Sequence, residues 1–295
     1  MPDNQFNIHR FQVEHNRVDL KPDVIAVEEP MQILLSHRDK LKPYGLTMRT
    51  PGNDIELIYG LLLTEGIICS AQDINTIEQE PLSPLPQRQT NGVSGLTNQY
   101  IVNLRHQLDI EEHLIQPYHM SYSGCGLCGK TSLQALDLKP KRNLKKVDFQ
   151  LSHQLIKQLK NQLARQPLFS KTGGVHAAGL IYYQDDFLDI ENAPFFEDIG
   201  RHNALDKLIG YELIKHDLQQ SGILVLSGRI GFELVQKAVM AGFAMIVALG
   251  APSHLAIQAA NQFDIVLVGF AKDTSFNLYT AHKNLLNDSV AFKLV

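Results

Sequence analysis

Apolar and polar positions change rhythm about halfway along the chain. In the second half, short unbroken apolar runs at 223–226, 243–248 and 265–268 are separated by helically spaced stretches at 232–241 and 253–262. Two apolar strands joined by a helix of about ten residues make a βαβ unit, and here that unit occurs twice in succession. Strands that do not alternate belong to a parallel sheet covered on both faces. Upstream of them, 152–165 reads as an amphipathic helix with Ser152 as its cap, 179–183 as a strand and 203–215 as a helix. The pattern predicts an α/β fold for residues 150–295.

The first half is less regular. Residues 1–22 are polar with scattered Phe11, Val13 and Val18, which suits a first strand pair or a loose arm. Residues 24–38 alternate and read as two strands turned at 28–30. A turn at 49–52 (RTPG) precedes a helix over 54–65, with Asn53 as N-cap, Glu56 three residues on and Gly66 as the stop. The Pro-, Ser- and Gly-rich stretch 81–98 reads as a surface loop between strands near 76–79 and 99–104. A basic run, 139–146 (KPKRNLKK), reads as a solvated linker. It places a domain boundary between 1–145, a smaller α+β unit, and 146–295.

Length and composition narrow the class. With 295 residues and 44% hydrophobic positions, the chain can bury a sizeable core or two. Lys plus Arg is 27 against 31 Asp plus Glu, a net charge of −4, so no field favours nucleic acid or an anionic membrane. No apolar run approaches the roughly 20 residues of a spanning helix. The first residues lack the apolar segment of a secretory signal. Three cysteines, two of them in one C-x-x-C, do not make a disulfide framework. These features describe a soluble, cytoplasmic protein.

Chemistry concentrates in a few segments. In 123–129 (SGCGLCG), Cys125 and Cys128 sit among glycines, which permit positive φ and close backbone approach. Backbone N–H groups of such a turn, with Lys130 beyond, favour thiolate over thiol. A closed zinc site needs four ligands, yet Cys69 is the sole other cysteine and no H-x₃₋₅-H pair is present, so no metal is expected. A redox dithiol, a group-carrying nucleophile and two packed structural cysteines are the readings left, and packing does not explain the glycines. His176, after a Gly-Gly pair, invites comparison with zinc deaminases. Their H-x-E pattern is broken by Ala178, and the C-x-x-C lies upstream, so deaminase chemistry is not expected.

The segment 197–207 (EDIGRHNALDK) gathers charge around a helix start. Asp206 and Lys207 fit ordinary i,i+4 ion pairs. Arg201, His202 and Asn203 fall where unpaired backbone N–H groups point outward, a receptor for phosphate or another anion. Three loops follow the carboxyl ends of strands: 227–231 (SGRIG), 250–253 (GAPS) and 269–274 (GFAKDT). Ligands of open α/β sheets bind at that edge. Gly228 and Gly231 allow close approach, Arg229 can fork a phosphate, and Ser227 and Ser253 carry hydroxyls. None matches a Walker or Rossmann fingerprint. Together they point to a nucleotide-like ligand.

The order of RTPG at 49–52, GLLLTEGI at 60–67, CGLCG at 125–129, TGGVHA at 172–177, DIGRHNALDK at 198–207, SGRIGFELVQK at 227–237, APSHLA at 251–256 and GFAKDTSFNLY at 269–279 resembles the FdhD family over about residues 24–280. These are sulfur-carrier proteins required for formate dehydrogenase activity. The resemblance implies a C-terminal domain similar to cytidine deaminase, three-layered, beside a smaller N-terminal α+β domain. It implies a sulfurtransferase that accepts persulfide sulfur from a cysteine desulfurase and passes it to the bis-guanine-dinucleotide molybdenum cofactor, the bound substrate, for a formate dehydrogenase. Cys125 would be the loaded thiolate and Cys128 a second carrier or resolving thiol. Gly269, Phe270, Ala271, Lys272, Asp273 and Thr274 would be the cofactor-binding segment, assisted by Ser227, Gly228, Arg229, Arg201, His202, Asn203 and His176, with GDP as a mimic. Family members often carry arginines where Lys272, Asp273 and Thr274 stand here, and a lysine lacks the bidentate fork. A homodimer is also implied.

Overall fold

The computed structural model describes residues 4–15, 17–81, 98–108, 110, 119–121, 142–144, 151–184 and 187–280. The polar start is a strand pair, β1 (Gln5–Glu14) against β2 (Arg17–Ala26), standing as its own two-stranded ribbon. The break expected at 28–30 is present, because β2 ends at Ala26 and β3 (Glu29–His37) begins three residues on. The two strands do not pair with each other, however: the chain changes sheets there. β3 turns back through β4 (Lys40–Arg49), a strand hidden in the sequence by its polar opening and Pro43.

The N-terminal sheet has the order β5-β6-β3-β4-β7, with β5 (Ile74–Pro81), β6 (Asn98–Leu104) and β7 (His119–Ser121). Between β4 and β5 runs α1 (Asp54–Thr64). Asn53 does precede it, but in a left-handed conformation (φ 57°) and without a side-chain cap. The capping arrangement needs an extended N-cap backbone, so Asn53 serves the turn rather than the helix. Gly66, at φ 78°, ends the helix as expected.

The C-terminal sheet runs β10-β8-β11-β12-β13-β14, with β9 (Phe187–Asp189) on the far part of β8. β11 (Gly222–Leu226), β12 (Met245–Ala248) and β13 (Val266–Gly269) are parallel and joined by α5 (Phe232–Ala241) and α6 (His254–Gln262), the two βαβ units expected. The sheet is nevertheless mixed, not purely parallel. β8 (His176–Gln184) pairs antiparallel with β11 and with β10 (Phe195–Asp198), and β14 (Asn277–Leu278) pairs antiparallel with β13. Short strands such as β9, β10 and β14 carry too few positions for periodicity to reveal.

Alternate strand residues face opposite layers. Ala177, Ile181, Ile223, Val225, Met245 and Val247 pack with Leu155, Ile156, Leu159 and Leu163 of α2 (His153–Ala164). Ala178, Leu180, Leu224, Leu226, Ile246 and Ala248 pack on the other face with α4 (Arg201–His216), α5 and α6. Ser152 caps α2 as expected, accepting from Leu155 N at 3.1 Å. A short helix not expected from the sequence, α3 (Pro167–Thr172), is capped by the Glu197 carboxylate, which accepts from Leu168 N and Phe169 N.

The second core layer also takes in Met31, Ile33, Leu57, Ile58, Leu62 and Val102 of the N-terminal half. α1 crosses α4 so closely that Cβ atoms are excluded at the contact. A methyl on Gly60 would lie 1.9 Å from Asp206 O, and one on Gly210 1.8 Å from Glu56 O. The boundary expected at 145/146 falls outside the described residues.

Candidate functional site

The start of α4 is held from below by a buried carboxylate. Asp198 is fully buried, and each of its oxygens accepts two bonds: Oδ1 from Gly200 N and Asn203 Nδ2, Oδ2 from Thr50 N and Lys207 Nζ. Lys207, also buried, donates further to Thr50 O at 2.8 Å and Glu197 O at 3.3 Å, which uses all three of its hydrogens. Asn203 is similarly occupied. Its amide donates to Met48 O and Asp198, while its oxygen accepts from Thr47 Oγ1 at 3.2 Å. Asn203 therefore ties α4 to β4.

The helical ion pairs expected at Asp206 and Lys207 are not i,i+4 pairs: both residues bond across elements. Lys207 pairs with Asp198 at 2.7 Å, and Asp206 receives Lys237 Nζ on both oxygens at 2.9 Å, with Thr64 Oγ1 bridging the two. Burial pushes the Asp206 carboxyl up to about 6, while the facing carboxylate raises Lys237. The Lys237 ammonium, donating directly to both oxygens, keeps the pair ionised at neutral pH.

Above this clamp lies an electropositive surface. Gly200 caps α4 without a side chain, and the first turn of this 16-residue helix holds no acidic residue. Arg201 Nε is buried and has no hydrogen-bond partner among the described residues. Burial, then Arg201 and Arg229, lower His176 below the usual histidine range. Burial, then Lys237, Arg201 and His176, bring His202 down to about 3. Both rings are neutral at pH 7, so the guanidinium charge of Arg201 and the exposed Arg229 dominate. A helix N-terminus together with a guanidinium whose buried Nε has no partner among the described residues can receive an anion.

The strand-end loops converge on it. A Cβ on Gly228 would sit 2.9 Å from His176 Nδ1 and 3.9 Å from Arg201 Cδ, so glycine lets this loop lie on both side chains. Gly250 packs likewise on the Gly228–Arg229 backbone, where a Cβ would be 2.6 Å from Gly228 O. Gly250 N donates to Gly228 O, and Gly250 O accepts from Phe270 N at 3.1 Å. Phe270, at φ 50° and 40% exposed, is a bulky residue in left-handed backbone at the loop crest.

Other expected contributors are engaged differently. Ser227 Oγ accepts from Ala177 N at 2.9 Å and locks the loop to β8, and Ser253 Oγ caps α6. Lys272, Asp273 and Thr274 are exposed, and Asp273 is drawn to α2 by Lys160 at 2.8 Å. Ala271 is buried, with its N–H on Ala248 O.

Cys125 and Cys128 lie outside the described residues. The strand that leads to them does not. β7 pairs parallel with β4, Ser121 opposite Thr47, the residue whose hydroxyl bonds Asn203 on α4.

Two contributors lie in quoted motifs, RTPG and SGRIGFELVQK, but no spacing in the sequence points to their contacts. Thr50 and Glu233 are ordinary residues whose partners, Asp198 and His202, are far away along the chain. Among the described residues, no cluster of His, Cys, Asp and Glu could hold a metal, and no helix is long and apolar enough to cross a membrane.

The chain matches the model of the FdhD/NarQ family over residues 26–286. It is 37% identical over 260 residues to a sulfur carrier protein FdhD from Sulfolobus acidocaldarius, covering 88% of this chain and 89% of that one. With its counterpart in Corynebacterium efficiens it shares 39% over 274 residues, covering 89% and 91%. In fold it is similar to the crystal structure of a candidate formate dehydrogenase accessory protein from Desulfotalea psychrophila. The TM-score is 0.66 at 22% identity, covering 96% of this chain and 99% of that one.

Proposed function

The chain belongs to the FdhD/NarQ family, and we propose that it carries sulfur as a persulfide on Cys125 to a guanine-dinucleotide molybdenum cofactor bound over the start of α4. The observation that carries this reading is the shared anchorage on β4. One strand holds the anion receptor, through Thr47 and Asn203, and also the segment leading to the cysteines, through β7. A carrier sulfur and its acceptor must meet, and this topology keeps their attachment points together.

In the loading step the Cys125 thiolate attacks the outer sulfur of a cysteine desulfurase persulfide. One S–S bond forms, another breaks, and the desulfurase leaves as thiolate. Cys128 would resolve the loaded species, forming the Cys125–Cys128 disulfide as the carried sulfur departs as hydrosulfide. Arg201, Arg229 and the uncapped turn of α4 would hold the pyrophosphate of the acceptor. The crest from Gly269 to Thr274 would border it, with Phe270 offering an aromatic face and Lys272 a point charge. Gly228 gives way to His176 and Arg201. Ser227 and Asn203 support the site from behind.

The same reading takes the C-terminal half as cytidine-deaminase-like, which helices on both faces of its mixed sheet support. It takes the protein as a cytoplasmic homodimer with a cysteine desulfurase and a formate dehydrogenase as partners. The test is mass spectrometry after incubation with desulfurase and cysteine. An adduct of about 32 Da, one sulfur, that disappears in Cys125→Ala is expected. In Cys128→Ala, which cannot resolve the persulfide, absence of the sulfur adduct would replace the carrier by a redox dithiol.

A further inference from the structure

Glu233 opens α5 and reaches the imidazole of His202 across the interface with α4, Oε2 lying 3.2 Å from Nε2. Both side chains are about four-fifths covered, at 22% and 20% exposed. An imidazole nitrogen facing an ionised carboxylate oxygen at this distance carries the hydrogen, since two lone pairs would otherwise oppose each other. The ring is neutral at pH 7, surrounded by Lys237, Arg201 and His176 and largely buried. A neutral ring has one N–H. With that hydrogen on Nε2, Nδ1 is a lone-pair acceptor.

We infer that Glu233 is a positioning residue: it fixes His202 as the Nε2–H form, so that Nδ1 accepts a hydrogen bond from an N–H donor of the ligand. The inference rests on the ligand placement proposed above and deepens it. An acceptor beside Arg201 repels a phosphate oxygen but welcomes the N–H edge of a base. Guanine has such donors at its ring N–H and exocyclic amine. The site is then divided by charge, with phosphate over Arg201 and Arg229 and the donor edge of the base over His202. Glu233 acts on this division without touching the ligand.

Calorimetry with GDP and imidazole NMR test it. Glu233→Leu is expected to weaken GDP binding about tenfold, the scale of one lost hydrogen bond. In a His202→Ala background the same change should have no further effect, because Glu233 works through the ring. Glu233→Asp should recover part of the affinity. Long-range proton–nitrogen correlation spectra of the ¹⁵N-labelled protein should show His202 with its hydrogen on Nε2, and a tautomer mixture in Glu233→Leu. A wild-type ring protonated on Nδ1 or on both nitrogens would overturn the inference. So would an equal loss of affinity in both backgrounds. If wild-type protein fails to bind GDP, the ligand placement falls, while the spectra still decide the tautomer.

Discussion

Replacing Asp198 by Asn changes one oxygen for an amide and little else in shape, yet the structure makes it costly. Each carboxylate oxygen accepts from two donors, Gly200 N with Asn203 Nδ2 on one side and Thr50 N with Lys207 Nζ on the other. Whichever way the new amide is turned, its NH₂ group faces two donors. The Lys207 ammonium, 1% exposed, is left with only carbonyl acceptors. Breaking a buried pair from one side costs about 3–5 kcal/mol, a large part of a typical stability of about 5–15 kcal/mol. Urea unfolding should therefore show a clear fall in midpoint at unchanged slope. The double variant Asp198→Asn/Lys207→Met removes the stranded charge and should recover roughly half of the loss. GDP binding should weaken as well, since Gly200 and Asn203 no longer fix the turn that carries Arg201. A single variant within about 1 kcal/mol of wild type, or a double variant no better than the single, would show that this pair does not hold the site.

At the crossing of α1 and α4, Gly210→Ala puts a methyl 1.8 Å from Glu56 O, and the helices must part. A loss of about 3 kcal/mol or more in thermal unfolding is expected, whereas Gly174→Ala, with only ordinary contacts near 3.8 Å, should stay within about 0.5 kcal/mol. Arg201→Ala should weaken GDP binding about 10- to 100-fold by calorimetry while leaving persulfide loading intact; unchanged affinity would place the anion receptor elsewhere. His202 is lowered to about 3 in the folded protein against about 6.5 unfolded, so the unfolded chain binds a proton first as pH falls. Its contribution to stability is complete above pH 6.5 and is lost as pH drops towards 3, at up to about 1.4 kcal/mol per unit. The slope of unfolding free energy between pH 6.5 and 4 should be visibly shallower in His202→Gln, and identical slopes would refute the neutral, buried ring.

What the sequence revealed follows from the range of the forces concerned. The βαβ units were legible because strand and helix periods are local, and Ser152 and Gly66 were legible because caps act over three or four residues. Asn53 misled because a favourable residue type does not fix its own backbone conformation. The loops 227–231, 250–253 and 269–274 were legible as one edge because βαβ topology places successive strand ends together. The true partners of Asp206 and Lys207 were not, since a pair such as Asp206 and Lys237 is made by helix packing that no spacing rule encodes. β4 was obscured by its polar, proline-bearing start, and with it went Thr47, while Arg49 and Thr50 were legible only as part of a turn. For Cys125 and Cys128 the sequence speaks through composition, and the structure adds only where their tether begins.

β4 is the element that makes these separate features one site. Its end fixes three things at once. Thr47 Oγ1 and Met48 O hold Asn203, and Thr50 bonds through its N–H to Asp198 and through its hydroxyl to Ile199 N. Arg49, buried between them, forks onto Asp54 at 3.0 Å on both arms and reaches Glu29, so the strand end cannot slide along β3 or swing from α1. On its other side β4 carries β7. A displacement of β4 would therefore move the start of α4 and the root of the cysteine segment together, which preserves their relation. Arg49→Lys separates this arrangement from simple stability. Lysine retains the charge but cannot bridge two carboxylates with a planar fork, so the strand end should loosen while the core remains packed. GDP affinity and the transfer of loaded sulfur should both fall more than thermal stability does. A variant that melts early but binds and transfers normally would show that β4 supports the fold without organising the site.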